Sequence, residues 1–440
     1  MSLEKLIKEF IAKARDEDDK LFPFMANKKT FDEEKDSVYY SGPYWDDNEI
    51  EAMFYSILKG KWLSAGEAVD RFEKQFSKKF HLGHSLMVNS GSSANLVLIA
   101  ALKKHFGWQD GDEVIVSCVG FPTTINPLIQ NNLKPVFVDI NWEDLNWDID
   151  QVEQKVTNRT RAVFSSPVLG NPYDMDRVIK LCKDHKLELI ADNCDSLGSK
   201  WRGKYLTDYA VAASCSFYPA HHITTIEGGM VSSDNQDIVD LARSFAWWGR
   251  GCHCVGKQNL LANGMCGNRF DKWIDDFDIT IDHKYLFTNI GYNLKPTNLQ
   301  GAVGIEQLKK YDEVHRLRKN NKERLAEIFE RIEGVISIPE RPEADTSWFG
   351  VPLLCRDDTL KRDLVKFLED NRIQTRNYFA GNILMHPAYR EIDDFKKYPN
   401  ANQVLGRVFF VGCSPTIIDE MVSYIEVVVD KFITLQGKSV

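Results

Sequence analysis

The chain has 440 residues, 43% of them hydrophobic, and 55 Lys and Arg against 64 Asp and Glu give a net charge of −9. That length suits a large core plus a second domain, and the acidic balance excludes the clustered cationic face that nucleic acid requires. No apolar run reaches the roughly 18 residues of a membrane-spanning helix, so no membrane partner is expected.

The first twenty residues are amphipathic and acidic, without the apolar core and small-residue cleavage site of a secretory leader, so a cytoplasmic protein is expected. Nine cysteines, an odd number, then read as thiols or ligands rather than disulfides.

Residues 1–50 are polar with scattered aromatics and read as a peripheral segment. From about residue 85 short apolar runs alternate with helical patterns. The runs Glu113–Val116, Pro135–Ile140, Arg161–Ser166, Leu187–Asp192 and Ala210–Ser216 predict strands. Ala94–His105 and Asp174–His185 predict helices between them. Such alternation requires crossover connections and a mostly parallel sheet covered on both faces, an α/β fold. Asp312–Ile332 reads as a long charged helix, with a smaller α+β domain beyond it. The expected division is a large domain over 51–315 and a small one over 316–440.

Three stretches carry chemistry. Gly91, Ser92 and Ser93 open a helix, where free backbone N–H groups and hydroxyls favour an anion; simple capping by serine explains the same residues. An apolar strand delivers Asp192 to its carboxyl end, where α/β sheets bind ligands. A carboxylate there either pairs with a protonated pyridine nitrogen or caps the next turn. The third stretch runs Ser216-Phe217-Tyr218-Pro219-Ala220-His221-His222, then Glu227-Gly228-Gly229.

That last pattern resembles the sugar aminotransferases, which are fold-type I pyridoxal-phosphate enzymes. Their cofactor-binding lysine stands where His221 stands here. The resemblance spans nearly the whole chain and implies further roles. Gly91, Ser92 and Ser93 match the phosphate turn, Phe121 the ring-stacking aromatic, and Asn171 a residue facing the ring hydroxyl. Asp192 matches the partner of the pyridine nitrogen and Ser216 a phosphate ligand. Asn293 matches a residue that reaches the phosphate of a neighbouring subunit, which implies a homodimer.

Histidine has no primary amine, so the cofactor would be held non-covalently as pyridoxamine 5′-phosphate (PMP). Histidine still moves protons near neutral pH. With a 4-keto sugar bound, His221 as base points to loss of the adjacent C-3 hydroxyl rather than amino transfer. His222 reads as a supporting group.

Cys194, Cys252, Cys254 and Cys266 form the pattern C-x57-C-x-C-x11-C. Thiolates in such a set suit zinc or an iron–sulfur cluster. Cys194 follows Asp192 by two residues, so their Cα atoms lie within about 7 Å. A centre on Cys194 would stand beside the cofactor, where a redox group has a use and a structural zinc has none.

This arrangement resembles the iron–sulfur 4-keto-6-deoxyhexose 3-dehydrases. It implies a [2Fe–2S] cluster, a CDP-linked sugar substrate and a separate NADH-dependent flavin/iron–sulfur reductase. The last spacing is four residues longer than in that family, an extension a loop absorbs at little cost. Arg250, Arg269 and Arg376 are candidates for the nucleotide diphosphate. The alternatives are a cluster-free dehydratase and an inert scaffold holding zinc.

Overall fold

The computed structural model describes residues 2–17, 30–60, 63–252 and 269–437. Two of the proposed cluster cysteines, Cys254 and Cys266, lie outside the described residues. No helix among those described is long and apolar enough to cross a membrane.

Three helices open the chain: α1 (Leu3–Glu17), α2 (Asp47–Lys59) and α3 (Glu67–Lys79). The large domain then lays down β1 (His84–Val88), β2 (Glu113–Ser117), β3 (Lys134–Val138), β4 (Thr160–Ser165), β5 (Glu188–Asp192), β6 (Ala212–Ser216) and β7 (Gly229–Ser233). Their order in the sheet is β1-β7-β6-β5-β4-β2-β3. Only β7 runs against the others.

Helices α4 (Gly91–Phe106), α5 (Pro122–Gln130), α6 (Ile149–Gln154), α7 (Met175–His185) and α8 (Gln236–Ala246) connect or flank these strands. Val114, Val116, Phe164 and Ile190 pack on one side of the sheet with α4, and Ile115, Val163 and Leu189 on the other with α7. Burial on both faces explains why the strands read as unbroken apolar runs. The expected mostly parallel α/β sheet is the one observed.

The expected helix at Asp312 is the second half of a longer one. Helix α9 (Asn298–Phe329) starts at a capping box in which Thr297 and Gln300 satisfy each other's backbone N–H. A domain boundary at residue 315 therefore falls inside a continuous helix, and the small domain grows from that helix's distal half. Beyond it, β8 (Val335–Ser337), β9 (Gly350–Cys355), β10 (Thr375–Asn377) and β11 (Val408–Gly412) form an antiparallel sheet in the order β8-β9-β11-β10. Helices α10 (Asp358–Asp370), α11 (Pro399–Arg407) and α12 (Asp419–Gln436) complete this unit.

The first fifty residues are not all peripheral, as expected from their polarity. Val38 is buried and pairs with Ile373. The hydroxyl of Ser41 donates to the Ala220 carbonyl at 2.9 Å.

Candidate functional site

A cavity of about 400 Å³ opens where the carboxyl ends of β5 and β6 meet the start of α4. Its walls include Ser90, Gly91, Ser92, Phe121, Asp192, Cys194, Ser216 and His221, and also Tyr40, Asp195, Phe349 and Phe379.

The α4 end forms an anion cradle. Ser90 caps the helix, its Oγ accepting from the Ser93 N–H at 3.1 Å. A Cβ on Gly91 would lie 2.4 Å from Ser216 Cβ and 2.7 Å from its Oγ. Only glycine lets the helix start approach the strand end this closely, leaving N–H groups and hydroxyls to converge on a phosphate-sized group.

Asp192 is 3% exposed and held from several sides. Its Oδ2 accepts from Thr124 Oγ1 at 2.7 Å and from Asn95 Nδ2 at 2.9 Å. Its Oδ1 accepts from the Ser214 hydroxyl at 3.4 Å and the Cys194 N–H at 3.3 Å. Four donors fix the carboxylate's orientation while it remains at the cavity wall, which suits it to receive a cationic ring N–H.

His221 sits in the loop between β6 and β7. Its N–H donates to the Tyr218 carbonyl at 3.0 Å. Its ring packs on Phe349 with centroids 5.1 Å apart. Its Nδ1 is buried without a hydrogen-bond partner and stands 3.7 Å from Asp195 Oδ1, too far for a hydrogen bond.

Burial pushes His221 down to about 3, and the positive charge of Arg318 adds to the shift. Burial pushes Asp195 up to about 8, with the neighbouring Asp192 charge adding to it. Both shifts favour the neutral forms, so His221 stands in the cavity as an uncharged imidazole. His222, by contrast, is committed: its Nε2 donates to the Ser347 carbonyl at 2.9 Å.

Other expected residues lie elsewhere. Asn171 is buried and does not line the cavity; its Nδ2 donates to the Pro339 carbonyl at 3.1 Å. Ser93 stands behind Ser90 in the cap. Asn293 is exposed and away from its own chain's cavity. Arg269 pairs with Asp282 at 2.5 Å, and Arg250 stacks on Trp248 at 4.9 Å. Arg376 lies nearest the cavity, 4.1 Å over the Tyr40 ring.

Cys194 lines the cavity, and Cys252 packs against the main core. Among the described residues no three His, Cys, Asp or Glu side chains gather as a metal site.

Tyr40, Asp195 and Phe349 went unforeseen, and Phe379, which opens the family-like stretch Phe379-Ala380-Gly381-Asn382, had been given no place in the cavity. Tyr40, Phe349 and Phe379 reach the cavity from distant segments, the first two with no local motif. The signal for Asp195 was its position one residue after Cys194.

Residues 45–430 match the profile of the DegT/DnrJ/EryC1/StrS aminotransferase family. The chain is 38% identical over 406 residues to a dTDP-4-dehydro-2,6-dideoxy-D-glucose 3-dehydratase of Saccharopolyspora spinosa, covering 89% of this chain and 86% of that one. It is 35% identical over 404 residues to the lipopolysaccharide biosynthesis protein RfbH of Salmonella typhimurium, covering 89% and 90%. Among solved structures, the E. coli GDP-4-keto-6-deoxy-D-mannose-3-dehydratase with bound hydrated PLP superimposes with a TM-score of 0.77 at 31% identity, over 89% of this chain and 99% of that one.

Proposed function

We propose that this chain, which belongs to the DegT/DnrJ/EryC1/StrS aminotransferase family, is a dehydratase that uses PMP to remove the C-3 hydroxyl of a nucleotide-linked 4-keto-6-deoxyhexose. The observation that carries this reading is a neutral imidazole at position 221 whose Nδ1 has no hydrogen-bond partner, where a sugar aminotransferase needs lysine, in a cavity that otherwise keeps the cofactor cradle. Two of the similar proteins, one of them the superimposed structure, are named 3-dehydratases, which supports the same reaction class.

The cradle fits the cofactor: the Gly91–Ser216 approach leaves room for its phosphate, and the fixed Asp192 carboxylate suits its ring nitrogen. When bound, the cofactor supplies an amine for the sugar carbonyl and a ring that accepts electron density. Gly91, Ser92 and Ser216 would hold the phosphate, with Ser93 behind them in the cap, and Phe121 would cover the ring. His221 would take a proton from the cofactor's methylene carbon without bonding to it. Arg376 is placed to meet the diphosphate. Asn171 would reach the ring hydroxyl only if its amide left Pro339. Asn293, exposed here, would serve the site of a second copy in a homodimer.

The finer reading adds a [2Fe–2S] cluster on Cys194, Cys252, Cys254 and Cys266, with electrons from an NADH-dependent flavin/iron–sulfur reductase and CDP as the nucleotide. Its support is the four-cysteine spacing and the place of Cys194 in the cavity wall beside Asp192. Such a cluster would supply electrons for the 3-deoxy product. The second reading is a cluster-free dehydratase, which needs only the cofactor cradle and His221.

Anaerobically purified chain is expected to contain iron and acid-labile sulfide in equal amounts. Zinc alone, or no metal, removes the cluster and leaves the second reading. Loaded with PMP and offered CDP-, dTDP- and GDP-linked 4-keto-6-deoxyhexoses, the chain is expected to turn over the CDP sugar fastest. Turnover of none would sink the proposed reaction.

A further inference from the structure

We infer that Arg318 is a positioning residue for His221: its guanidinium ties the carbonyl of His221 and the carbonyl of Phe349 into one clamp behind the cavity. This rests on the reading of His221 as the base.

Arg318 lies in α9 and is 1% exposed. One terminal nitrogen donates to the carbonyls of Ala220 and His221, each at 3.1 Å. The other donates to the carbonyls of Phe349 at 3.0 Å and Trp348 at 3.3 Å. The four carbonyls are neutral, and the Cys413 thiol is a further contact. No carboxylate among the described residues forms a salt bridge with the guanidinium, the charge of Asp195 acting on it only from a distance. An arginine buried on such terms is costly, and an apolar side chain would serve packing alone.

The guanidinium has the planar fork needed to face two pairs of carbonyls at once. Lysine presents its donors from a single point and cannot bridge both. The two segments it joins are about 130 residues apart in sequence, and each supplies one wall of the cavity, the imidazole of His221 and the ring of Phe349. The His222 bond to the Ser347 carbonyl is a parallel tie between the same segments. The backbone that aims His221 is thus set from behind, by a side chain outside the cavity lining. Shifts of about 1 Å in a reacting group lower rates a hundredfold.

The test uses Arg318→Gln and Arg318→Lys in the full-length chain, with hydrogen–deuterium exchange and steady-state kinetics. In Arg318→Gln, peptides covering 217–222 and 346–350 are expected to lose protection together while the rest of the chain keeps it. kcat is expected to fall at least tenfold, with KM and PMP affinity within about twofold of the parent. Arg318→Lys is expected to recover only part of kcat; should the glutamine variant not fold, the lysine variant must show the joint loss of protection.

Unchanged exchange in both segments, exposure spread over the whole chain, or parent-like kcat would overturn the clamp. The exchange result does not depend on turnover. If His221→Asn kept full activity while the two segments still opened together, the clamp would stand and the reading of the base would fall.

Discussion

Replacing His221 with asparagine is expected to cut turnover by about 10²–10⁴-fold, the usual contribution of a placed general base. Asparagine approximates the imidazole's size and should leave the packing on Phe349 nearly intact. What disappears is the basic nitrogen. In the parent that nitrogen is free to act because Nδ1 has no hydrogen-bond partner and Asp195 stands beyond hydrogen-bonding distance. PMP affinity, measured by absorbance titration, is expected to stay within about threefold, since the cradle at Gly91 and Ser216 is untouched. A loss of affinity matching the loss of rate would instead make His221 a cofactor-binding residue. The His221→Lys variant separates the chemistry further. Restoring a primary amine is expected to give a covalent attachment to pyridoxal phosphate, fixed by borohydride and read as added protein mass, and to abolish dehydration.

Asp192→Asn is expected to have the second largest effect. The parent carboxylate accepts from Thr124, Asn95, Ser214 and the Cys194 N–H, so it is oriented before any ligand arrives. An amide in its place turns a donor toward either these donors or the incoming ring nitrogen, and one buried contact becomes repulsive. Losing a charge-assisted hydrogen bond costs about 1.5–3 kcal/mol, or roughly 10–100-fold in PMP affinity. Turnover of the loaded variant should fall further, because the ring's ability to take up electron density depends on a protonated nitrogen. Asp192→Asn with parent affinity and parent rate would remove Asp192 from the site.

Much of the large domain was legible because its strands are buried on both faces. The run Leu187–Asp192 became β5 (Glu188–Asp192), and Ala210–Ser216 became β6 (Ala212–Ser216). The motifs at Gly91, Asp192, Ser216 and His221 converge on one cavity because the first three lie at a strand end or helix start of that sheet and His221 in the loop that leaves β6.

The first half of α9, ahead of the expected start at Asp312, contains Gly301 and Gly304. In the structure they are contact points. A Cβ on Gly301 would lie 2.5 Å from the Val69 nitrogen, and one on Gly304 would lie 2.7 Å from the Phe72 ring. Glycine there lets α3 press against α9. Arg318 looked like one more charge on a charged helix, and its burial depends on carbonyls that other segments bring to it. Tyr40 and Phe349 carry no local signature, because tertiary packing alone delivers them. Asn171 sits in the expected segment, yet its amide is taken by Pro339.

The central claim is that this scaffold removes an oxygen from its sugar, as the relatives named 3-dehydratases do, rather than delivering an amine. The mass spectrum of the sugar nucleotide after incubation with PMP-loaded chain, a 4-keto-6-deoxyhexose substrate and a reductant tests it most directly. The account predicts a product lacking the C-3 oxygen and keeping the C-4 carbonyl. A product that keeps the C-3 hydroxyl and carries an amine at C-4 would contradict it.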